Sequence, residues 1–299
     1  MSREIARLVD EFYLGLVREK RPRKVEDDYS GGEMHLNAKI VLESATRRFN
    51  VCSGLGVDYS WSLTTNGTLL KPSLVSRFKE VGLKRMRVSL AGPARIHDLL
   101  RPDKDNRKTY ERIVRNLEAV SGLVPIVILT QYDSSCLDFM HIPEMMDQLK
   151  ARGIEIENYS FAPISPKRGR SEFQCGMGDP EVSIFLMKEA RRRGFPQFTA
   201  APSSACAFDF RARMVFDADG SMIPCAALNP GELAHGHPGK GGIDFETYAQ
   251  MVPRKFPDEC LNGCELFPAC LGGCRLPSLA ACRRTPFSGC RVQLYHIWE

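Results

Sequence analysis

The first twenty residues carry apolar side chains at helical spacing. The apolar positions recur at intervals of three and four: Ile5, Leu8, Val9, Phe12, Leu16 and Val17. Ser2 precedes them as an N-cap, whose hydroxyl accepts a hydrogen bond from the first unpaired N–H groups of a helix. The pattern predicts an amphipathic helix over residues 2–20.

Strand-type and helix-type patterns then alternate along the chain. Runs rich in β-branched and aromatic residues predict strands near residues 25–30, 59–64, 85–90, 124–130 and 154–161. Helical periodicity predicts helices near residues 38–49, 72–82, 108–120, 142–152 and 179–193. This alternation predicts parallel strands with crossover helices, hence an α/β fold of the TIM-like barrel type, half-open or closed. The five predicted strand–helix units are one short of a six-unit barrel, so we expect its first strand to be missing.

Composition sets the class of protein. Of 299 residues, 43% are apolar and 26% are charged, which is typical of a globular protein. The net charge of +5 is too small to predict a nucleic-acid partner. The longest apolar run, residues 124–129, is far shorter than the about 20 residues of a membrane span. Arg3 and Glu4 leave no apolar signal core, so we expect a cytoplasmic protein without a membrane partner.

Cysteine is the outlier of the composition, with eleven residues. Eight of them lie after residue 200: Cys206, Cys225, Cys260, Cys264, Cys270, Cys274, Cys282 and Cys290. Because the chain has no export signal, this group of cysteines predicts ligands of a metal ion or an iron–sulfur cluster rather than disulfides. The small, proline-containing segment 199–204 precedes this shift in composition. It predicts a boundary between one domain over residues 1–198 and a second over residues 199–299.

The tail cysteines are closely spaced. Residues 214–224 predict a hairpin with an Asp-Gly turn, and its second strand delivers Cys225. Beyond the hairpin, two pairs are separated by three residues each: Cys260 and Cys264, and Cys270 and Cys274. Sulfur-only ligation suits zinc or iron–sulfur clusters. Paired structural zinc sites usually show two intervening residues, so the spacing favours iron–sulfur clusters.

Glycine-rich and polar motifs follow the first three predicted strands. They are Gly31-Gly32-Glu33, Thr65-Asn66-Gly67 and Ser89-Leu90-Ala91-Gly92. Because chemistry in parallel barrels collects at the C-terminal strand ends, their joint placement predicts a binding site there. The adjacent glycines let the backbone approach a ligand, and the glutamate offers an acceptor for an ammonium group.

Charged residues after the third motif have two interpretations each. His97 and Asp98 suit a catalytic pair or, as we favour, the cap at a helix start. Arg101 suits an anion-binding side chain or a solvated loop.

The tail spacing resembles that of radical S-adenosylmethionine (SAM) enzymes with a C-terminal SPASM domain. The family pattern is C-x9–15-G-x4-C, a gap, C-x2-C-x5-C-x3-C, a gap, and C. The chain matches it with one departure, the third residue between Cys260 and Cys264. The resemblance implies two auxiliary 4Fe–4S clusters. It assigns Cys206, Cys225 and Cys274 to the first, and Cys260, Cys264, Cys270 and Cys290 to the second, with Cys282 as the rival for the last place.

The strand-end motifs extend this resemblance. Gly31-Gly32-Glu33 matches the GGE motif that holds the SAM amino group, and Thr65-Asn66-Gly67 matches the TNG stretch. The segment Ser89–Gly92 with His97-Asp98 and Arg101 is similar to the family's SLDG…HD…R segment. The resemblance implies these cofactor-binding residues: Gly31, Gly32, Glu33, Thr65, Asn66, Ser89 and Arg101.

The chain also departs from the family. Ala91 replaces the aspartate of the SLDG segment, and Ala226 stands where some members place an acidic base. The C-x3-C-x2-C motif, which binds the SAM-cleaving cluster, is absent from the front of the chain, where Cys52 is alone. This absence agrees with a missing first barrel strand. It predicts that the present chain alone does not cleave SAM.

Among SPASM enzymes, the segments at 175–178, 200–203 and 231–238 look most like those of geopeptide maturases, which modify ribosomally made peptides. The resemblance implies a precursor peptide, an electron donor such as flavodoxin or ferredoxin, and hydrogen abstraction by a 5′-deoxyadenosyl radical.

We consider three hypotheses. The chain is a fragment of such an enzyme, a non-catalytic paralogue that binds a peptide or partner protein, or a zinc-stapled structural domain.

Overall fold

A computed structural model describes residues 1–133, 137–163, 180–195, 213–226, 233–251, 256 and 258–264. The chain divides into two compact units. The first contains Tyr13–Ile164 and Glu181–Gln197, and the second contains Met1–Phe12 with the described residues after 212. The domain boundary between residues 198 and 199 stays a prediction. Among the helices of the described residues, none is long and apolar enough to cross a membrane.

The first unit is built on a five-stranded parallel sheet. Its strands are β1 Lys24–Tyr29, β2 Asp58–Thr65, β3 Leu83–Ser89, β4 Ile126–Tyr132 and β5 Asn158–Pro163. The α-helices up to its end are α1 Arg3–Lys20, α2 Ala38–Gly54, α3 Pro72–Glu80, α4 Ala94–Leu100, α5 Tyr110–Val120, α6 Ile142–Ala151 and α7 Pro180–Arg192. Short 3-10 helices span Met34–Asn37 and Leu137–His141. The strands lie in the order β1-β2-β3-β4-β5, which confirms the predicted α/β fold with parallel strands.

Two helices differ from the sequence prediction. Helix α2 ends at Gly54, five residues beyond the predicted end at Phe49, because the fully buried Cys52 continues its apolar face. Helix α4 was not predicted. Its seven residues follow Pro93, which takes an extended conformation at the N-cap, and they are too few to display a period.

The sheet has one apolar and one polar face in its first strands. On β2, Tyr59, Trp61 and Leu63 are buried, whereas the alternating Ser60 and Ser62 are only half-buried. Successive side chains of a strand point to opposite faces, so the apolar face carries the core beneath the helices. The other face remains polar, which suits a ligand-binding surface near the strand ends.

The second unit joins the start of α1 to small hairpins. Strands β6 Val215–Phe216 and β7 Met222–Ile223 pair antiparallel, which confirms the predicted hairpin. Phe12 of α1 contacts Phe216 edge-on, with ring centroids 6.3 Å apart. The remaining elements are β8 Gly236–His237, β9 Gly242–Ile243, α8 Phe245–Met251 and α9 Asp258–Gly263. The sequence did not predict that the start of α1 belongs to this unit. The apolar stripe of a helix shows that it packs against something, but not against which element.

Candidate functional site

The candidate site lies at the C-terminal edge of the parallel sheet. Because β1 to β4 all run in the same direction, the segments that follow them meet at one edge. The predicted residues lie there: Gly31, Gly32, Glu33, Thr65, Asn66, Ser89 and Arg101.

The glycine pair after β1 forms an open cradle. Gly31 has a φ of +127°, which side-chain-bearing residues rarely adopt. Both glycines are exposed, and a Cβ at either Gly31 or Gly32 would have no atom within 4 Å. Packing within the described chain therefore does not require glycine at position 32. The open backbone there suits close approach of a ligand.

Glu33 links the ends of β1 and β2. Its Oε1 accepts hydrogen bonds from the backbone N–H of His35 at 3.1 Å, from His35 Nδ1 at 2.7 Å and from Thr65 Oγ1 at 2.7 Å. Its Oε2 accepts the backbone N–H of Asn66 at 2.8 Å. Burial alone raises the pKa of this carboxyl group, but the bonds from His35, Asn66 and Thr65 outweigh it and lower the pKa to about 2. The side chain is therefore an anion at neutral pH.

The donors are distributed unequally between the two carboxylate oxygens of Glu33. Oε1 accepts three hydrogen bonds, whereas Oε2 accepts one. A carboxylate oxygen has two lone pairs, so Oε2 retains the capacity to accept from a ligand. An ammonium group is the donor that a buried carboxylate favours most, because the bond is charge-assisted.

His35 is a site residue that the sequence analysis missed. Its side chain is only 1% exposed, and its Nδ1 must carry the hydrogen that it donates to Glu33. Its Nε2 has no hydrogen-bond partner among the described residues. The only sequence signal was its position two residues after Glu33.

The loop after β2 is a side-chain-stabilised turn. Asn66 Oδ1 accepts the backbone N–H and the hydroxyl of Thr68, at 2.9 and 2.7 Å. Asn116 of α5 donates through Nδ2 to the carbonyls of Gly67 and Thr68, at 2.9 and 3.1 Å. Asn116 was also missed, since one polar residue in an amphipathic helix carries no distinguishing signal.

Gly67 is required for both conformation and space. Its φ is +78°, and a Cβ there would lie 2.8 Å from Ile113 Cγ2 and 2.9 Å from Val88 Cγ1. Both contacts are closer than real Cβ atoms allow. Because Gly67 has no side chain, α5 packs directly against the turn. The same turn holds Thr65 and Asn66 beside Glu33.

His97 connects the segment after β3 to Arg101. It is 1% exposed, and burial, with a smaller contribution from the charge of Arg101, lowers its pKa to about 4 despite nearby Asp98. The neutral ring accepts the N–H of Ala91 at Nδ1, at 3.2 Å, so this bonding pattern assigns the hydrogen to Nε2. Nε2 donates to Thr109 Oγ1 at 3.1 Å, and that hydroxyl donates to the carbonyl of Arg101 at 2.7 Å.

Asp98 caps a helix, as the favoured interpretation predicted, but the helix is α5. Its Oδ1 accepts the backbone N–H groups of Thr109 and Tyr110, at 2.9 and 2.8 Å. These are donors that the first turn of α5 leaves without helical partners. Asp98 itself lies within α4 and therefore does not start the helix that contains it.

Arg101 is a half-buried cation at the same edge. Its guanidinium donates to the side-chain oxygen of Gln131 on β4, and burial lowers its pKa. No ion pair within the described residues includes Arg101. Ser89 is buried and is the last residue of β3. The edge therefore presents an anion, Glu33, and a cation without a carboxylate partner in the part of the chain described.

The cysteine-rich tail is described only in part. Cys225 follows β7, Cys260 lies in α9 and Cys264 follows α9, and all three are half-buried. The other predicted ligands lie outside the described residues: Cys206, Cys270, Cys274, Cys282 and Cys290. Among the described residues, no three His, Cys, Asp or Glu side chains are placed to hold a metal ion. The cluster assignments therefore stay predictions.

His237 is unsuited to bind a metal ion. Its Nδ1 accepts the backbone N–H of Gly239 at 3.0 Å, so Nε2 carries the hydrogen and donates to the carbonyl of Asp219 at 2.9 Å. Both ring nitrogens are therefore occupied by the fold of the second unit.

Sequence comparison finds distant relatives. The chain is 23% identical over 249 residues to the cysteine-type anaerobic sulfatase-maturating enzyme of Clostridium novyi (strain NT), covering 73% of the chain and 64% of that protein. It is 23% identical over 284 residues to the serine-type enzyme of Klebsiella aerogenes, covering 84% of the chain and 67% of that protein. The chain thus spans about two thirds of the length of these relatives. No protein-family model matches it.

Comparison with solved structures supports the fold over nearly the whole chain. Native anSMEcpe with bound AdoMet and Cp18Cys peptide matches with a TM-score of 0.71 and 19% identity, covering 97% of this chain and 87% of that one. Streptococcus suis SuiB bound to the precursor peptide SuiA matches with a TM-score of 0.63 and 16% identity, covering 95% and 68%. The chain therefore has the fold of anSMEcpe and SuiB. The chain is a distant homologue of the anaerobic sulfatase-maturating enzymes and shares its fold with SuiB, which confirms the resemblance to radical SAM/SPASM enzymes.

Proposed function

We propose that the C-terminal edge of the sheet binds the amino-acid end of SAM. The observation that carries this proposal is the pair of opposite charges at one edge, the anionic Glu33 and the Arg101 cation that is held by a neutral side chain. An α-amino acid carries an ammonium and a carboxylate, and each would find a complementary charge. The open backbone at Gly31 and Gly32 fits the group, since a Cβ there would meet nothing in the described chain.

Each residue of the edge has a role in this proposal. Glu33 Oε2 accepts the ammonium, while Thr65 and Asn66 keep the carboxylate ionised and oriented. Ser89 ends β3 and Arg101 follows α4, and both would bind the carboxylate. When bound beside a reduced iron–sulfur cluster, SAM supplies abstraction of a hydrogen atom from a substrate. The chain's own residues orient SAM.

The ligand experiment separates the amino-acid end of SAM from its nucleoside. Binding of SAM and of 5′-methylthioadenosine, which lacks the amino-acid end, is measured by equilibrium dialysis on the anaerobically purified chain. We expect SAM to bind and 5′-methylthioadenosine to bind at least tenfold more weakly, since charge-assisted bonds contribute about 1.5–3 kcal/mol each. Arg101→Met should reduce that preference without abolishing it, because the ligand carboxylate loses its partner while Glu33 still binds the ammonium. Equal affinities for the two compounds in the wild-type chain would refute the proposal.

We further propose that residues 199–299 form a SPASM region with two auxiliary 4Fe–4S clusters. The support is the cysteine pattern, together with distant homology to the sulfatase-maturating enzymes. Iron, sulfide and zinc are measured on anaerobically purified protein. About eight iron atoms per chain, the content of two such clusters, is the expected result. A colourless protein with two zinc ions and no iron would support the zinc-stapled alternative instead.

The peptide-modifying activity is a proposal for the whole enzyme. Its support is the homology together with relatives whose structures contain bound peptides, and the expected partners are a precursor peptide and a flavodoxin or ferredoxin.

We also propose a six-stranded barrel whose first strand would pair with β1, which lies at the edge of the described sheet. Reading the DNA upstream of Met1 tests this. A stop codon directly before Met1, with no cysteine-bearing frame, would contradict it.

A non-catalytic paralogue is the second candidate function. Ala91 and Ala226 favour it, because each stands where the resemblance predicts a carboxylate. Such a protein would bind a peptide or an enzyme partner through its cluster region. Formation of 5′-deoxyadenosine from SAM by this chain alone would eliminate this candidate.

A further inference from the structure

Two arginines of β3, Arg85 and Arg87, are each paired with a carboxylate. Arg85 donates through Nε and Nη2 to the carboxylate of Glu157, at 2.6 and 2.7 Å. Arg87 donates through Nη2 to the carboxylate of Asp28 on β1. Each guanidinium therefore has a carboxylate partner that neutralises its charge.

Arg101 is fixed at three points by uncharged groups. Its backbone N–H donates to the carbonyl of His97 at 2.8 Å, and its own carbonyl accepts the hydroxyl of Thr109 at 2.7 Å. Its guanidinium donates to the side-chain oxygen of Gln131. Arg101 is therefore oriented in advance, yet its positive charge is not cancelled by any of these partners.

Gln131 lies where it can hold the guanidinium without taking part in the core. It is the penultimate residue of β4, and its neighbours Thr130 and Tyr132 are buried on the other face while Gln131 itself is half-buried. An amide and a carboxylate have nearly the same shape. Glutamate at this position would make a stronger hydrogen bond to Arg101 but would also neutralise it.

We propose that Gln131 is a specificity-determining positioning residue: it orients Arg101 through a neutral hydrogen bond, so that the cation remains available to the carboxylate of the ligand. This inference rests on the proposed SAM site and identifies the side chain that makes the site selective for a carboxylate. A residue with only a structural role would tolerate glutamate, because the hydrogen bond would be retained.

The test uses the full chain, two variants and two ligands. The variants are Gln131→Glu, which keeps the hydrogen bond and cancels the charge, and Gln131→Met, which removes the bond and keeps the charge. The ligands are SAM and decarboxylated SAM, which differ by the carboxylate alone. We expect Gln131→Glu to weaken SAM binding about tenfold or more, Gln131→Met to weaken it less, and both to bind decarboxylated SAM within about twofold of the wild type.

The outcomes are distinguishable. If Gln131→Glu retains the wild-type preference for SAM over decarboxylated SAM, the role of Gln131 is refuted while the SAM site stands. If Gln131→Glu weakens both ligands equally, the loss is structural and the proposal is again refuted. If the wild-type chain binds both ligands equally, Arg101 does not bind the carboxylate, and the proposed site falls with the inference. Unfolding midpoints measured in parallel show whether each variant is folded.

Discussion

The carboxylate of Glu33 accepts the backbone N–H of Asn66 at 2.8 Å, and this bond joins the loop after β1 to the loop after β2. The charged residue of the first strand-end motif is therefore also a structural link between two motifs. Any change that moves the loop after β2 will displace the proposed ammonium acceptor.

Gly67→Ala should destabilise the protein more than an equivalent substitution elsewhere. A Cβ at position 67 would approach Ile113 and Val88 to less than 3.0 Å, in addition to the strain of its positive φ. Strain of this kind costs roughly 1–2 kcal/mol, and overpacking adds about 1–3 kcal/mol. The free energy of unfolding in urea measures both. Gly153→Ala is the matched control, because Gly153 has a φ of +71° and open space around its Cβ position. Equal losses in the two variants would contradict the packing argument.

Asp98→Ala should lower the free energy of unfolding by about 1–2 kcal/mol, because two N–H groups of α5 lose their acceptor. Asp98→Asn retains an acceptor oxygen and should recover most of that loss. Thermal and urea unfolding provide the measurement. If both variants are as stable as the wild type, Asp98 does not cap α5, and the catalytic interpretation of His97 and Asp98 would be reopened.

The stability of the protein should fall between pH 6.5 and pH 4 because of His97. Its pKa is about 4 in the folded state against an ordinary value of 6.5, so the unfolded state binds the proton first as the pH falls. The stability that the neutral ring contributes is therefore present above pH 6.5 and is lost toward pH 4. The largest change expected from this group is about 3 kcal/mol.

His97→Asn supplies the control for this pH dependence. Asparagine keeps an acceptor for the N–H of Ala91 but does not titrate. We expect the variant to be less stable at pH 7 and to lose less stability than the wild type between pH 7 and pH 4.5. Parallel slopes for the two proteins would contradict this account, because they would show that the pKa of His97 is the same in the folded and unfolded states.

The strands and the position of the candidate site follow from the sequence because their signals are local. A run such as Ile126–Tyr132 predicts a strand by itself, and parallel strands bring their end motifs to one edge whatever the details of packing. The Asp-Gly turn of the second unit is equally local. The architecture of the edge could therefore be predicted without knowledge of any contact between distant residues.

The residues that complete the site could not be predicted, because their partners are far away in the sequence. Asn116 meets the turn at Gly67 across 49 positions, and Gln131 meets Arg101 across 30. Their only local signal is a polar side chain in an apolar element. Asp98 illustrates the same limit. Its side chain type predicted a helix cap, but the sequence did not show that the capped helix is α5 rather than the helix next to it in the chain.

The affinity for SAM of the wild-type chain, Glu33→Gln and Glu80→Gln tests the central claim most directly. Glu33→Gln removes the proposed ammonium acceptor at nearly constant shape, whereas Glu80 is an exposed residue at the end of α3. Loss of a charge-assisted bond of about 1.5–3 kcal/mol predicts a tenfold or greater loss of affinity for Glu33→Gln and none for Glu80→Gln. Equal affinities of the wild-type chain and a folded Glu33→Gln variant would contradict the account.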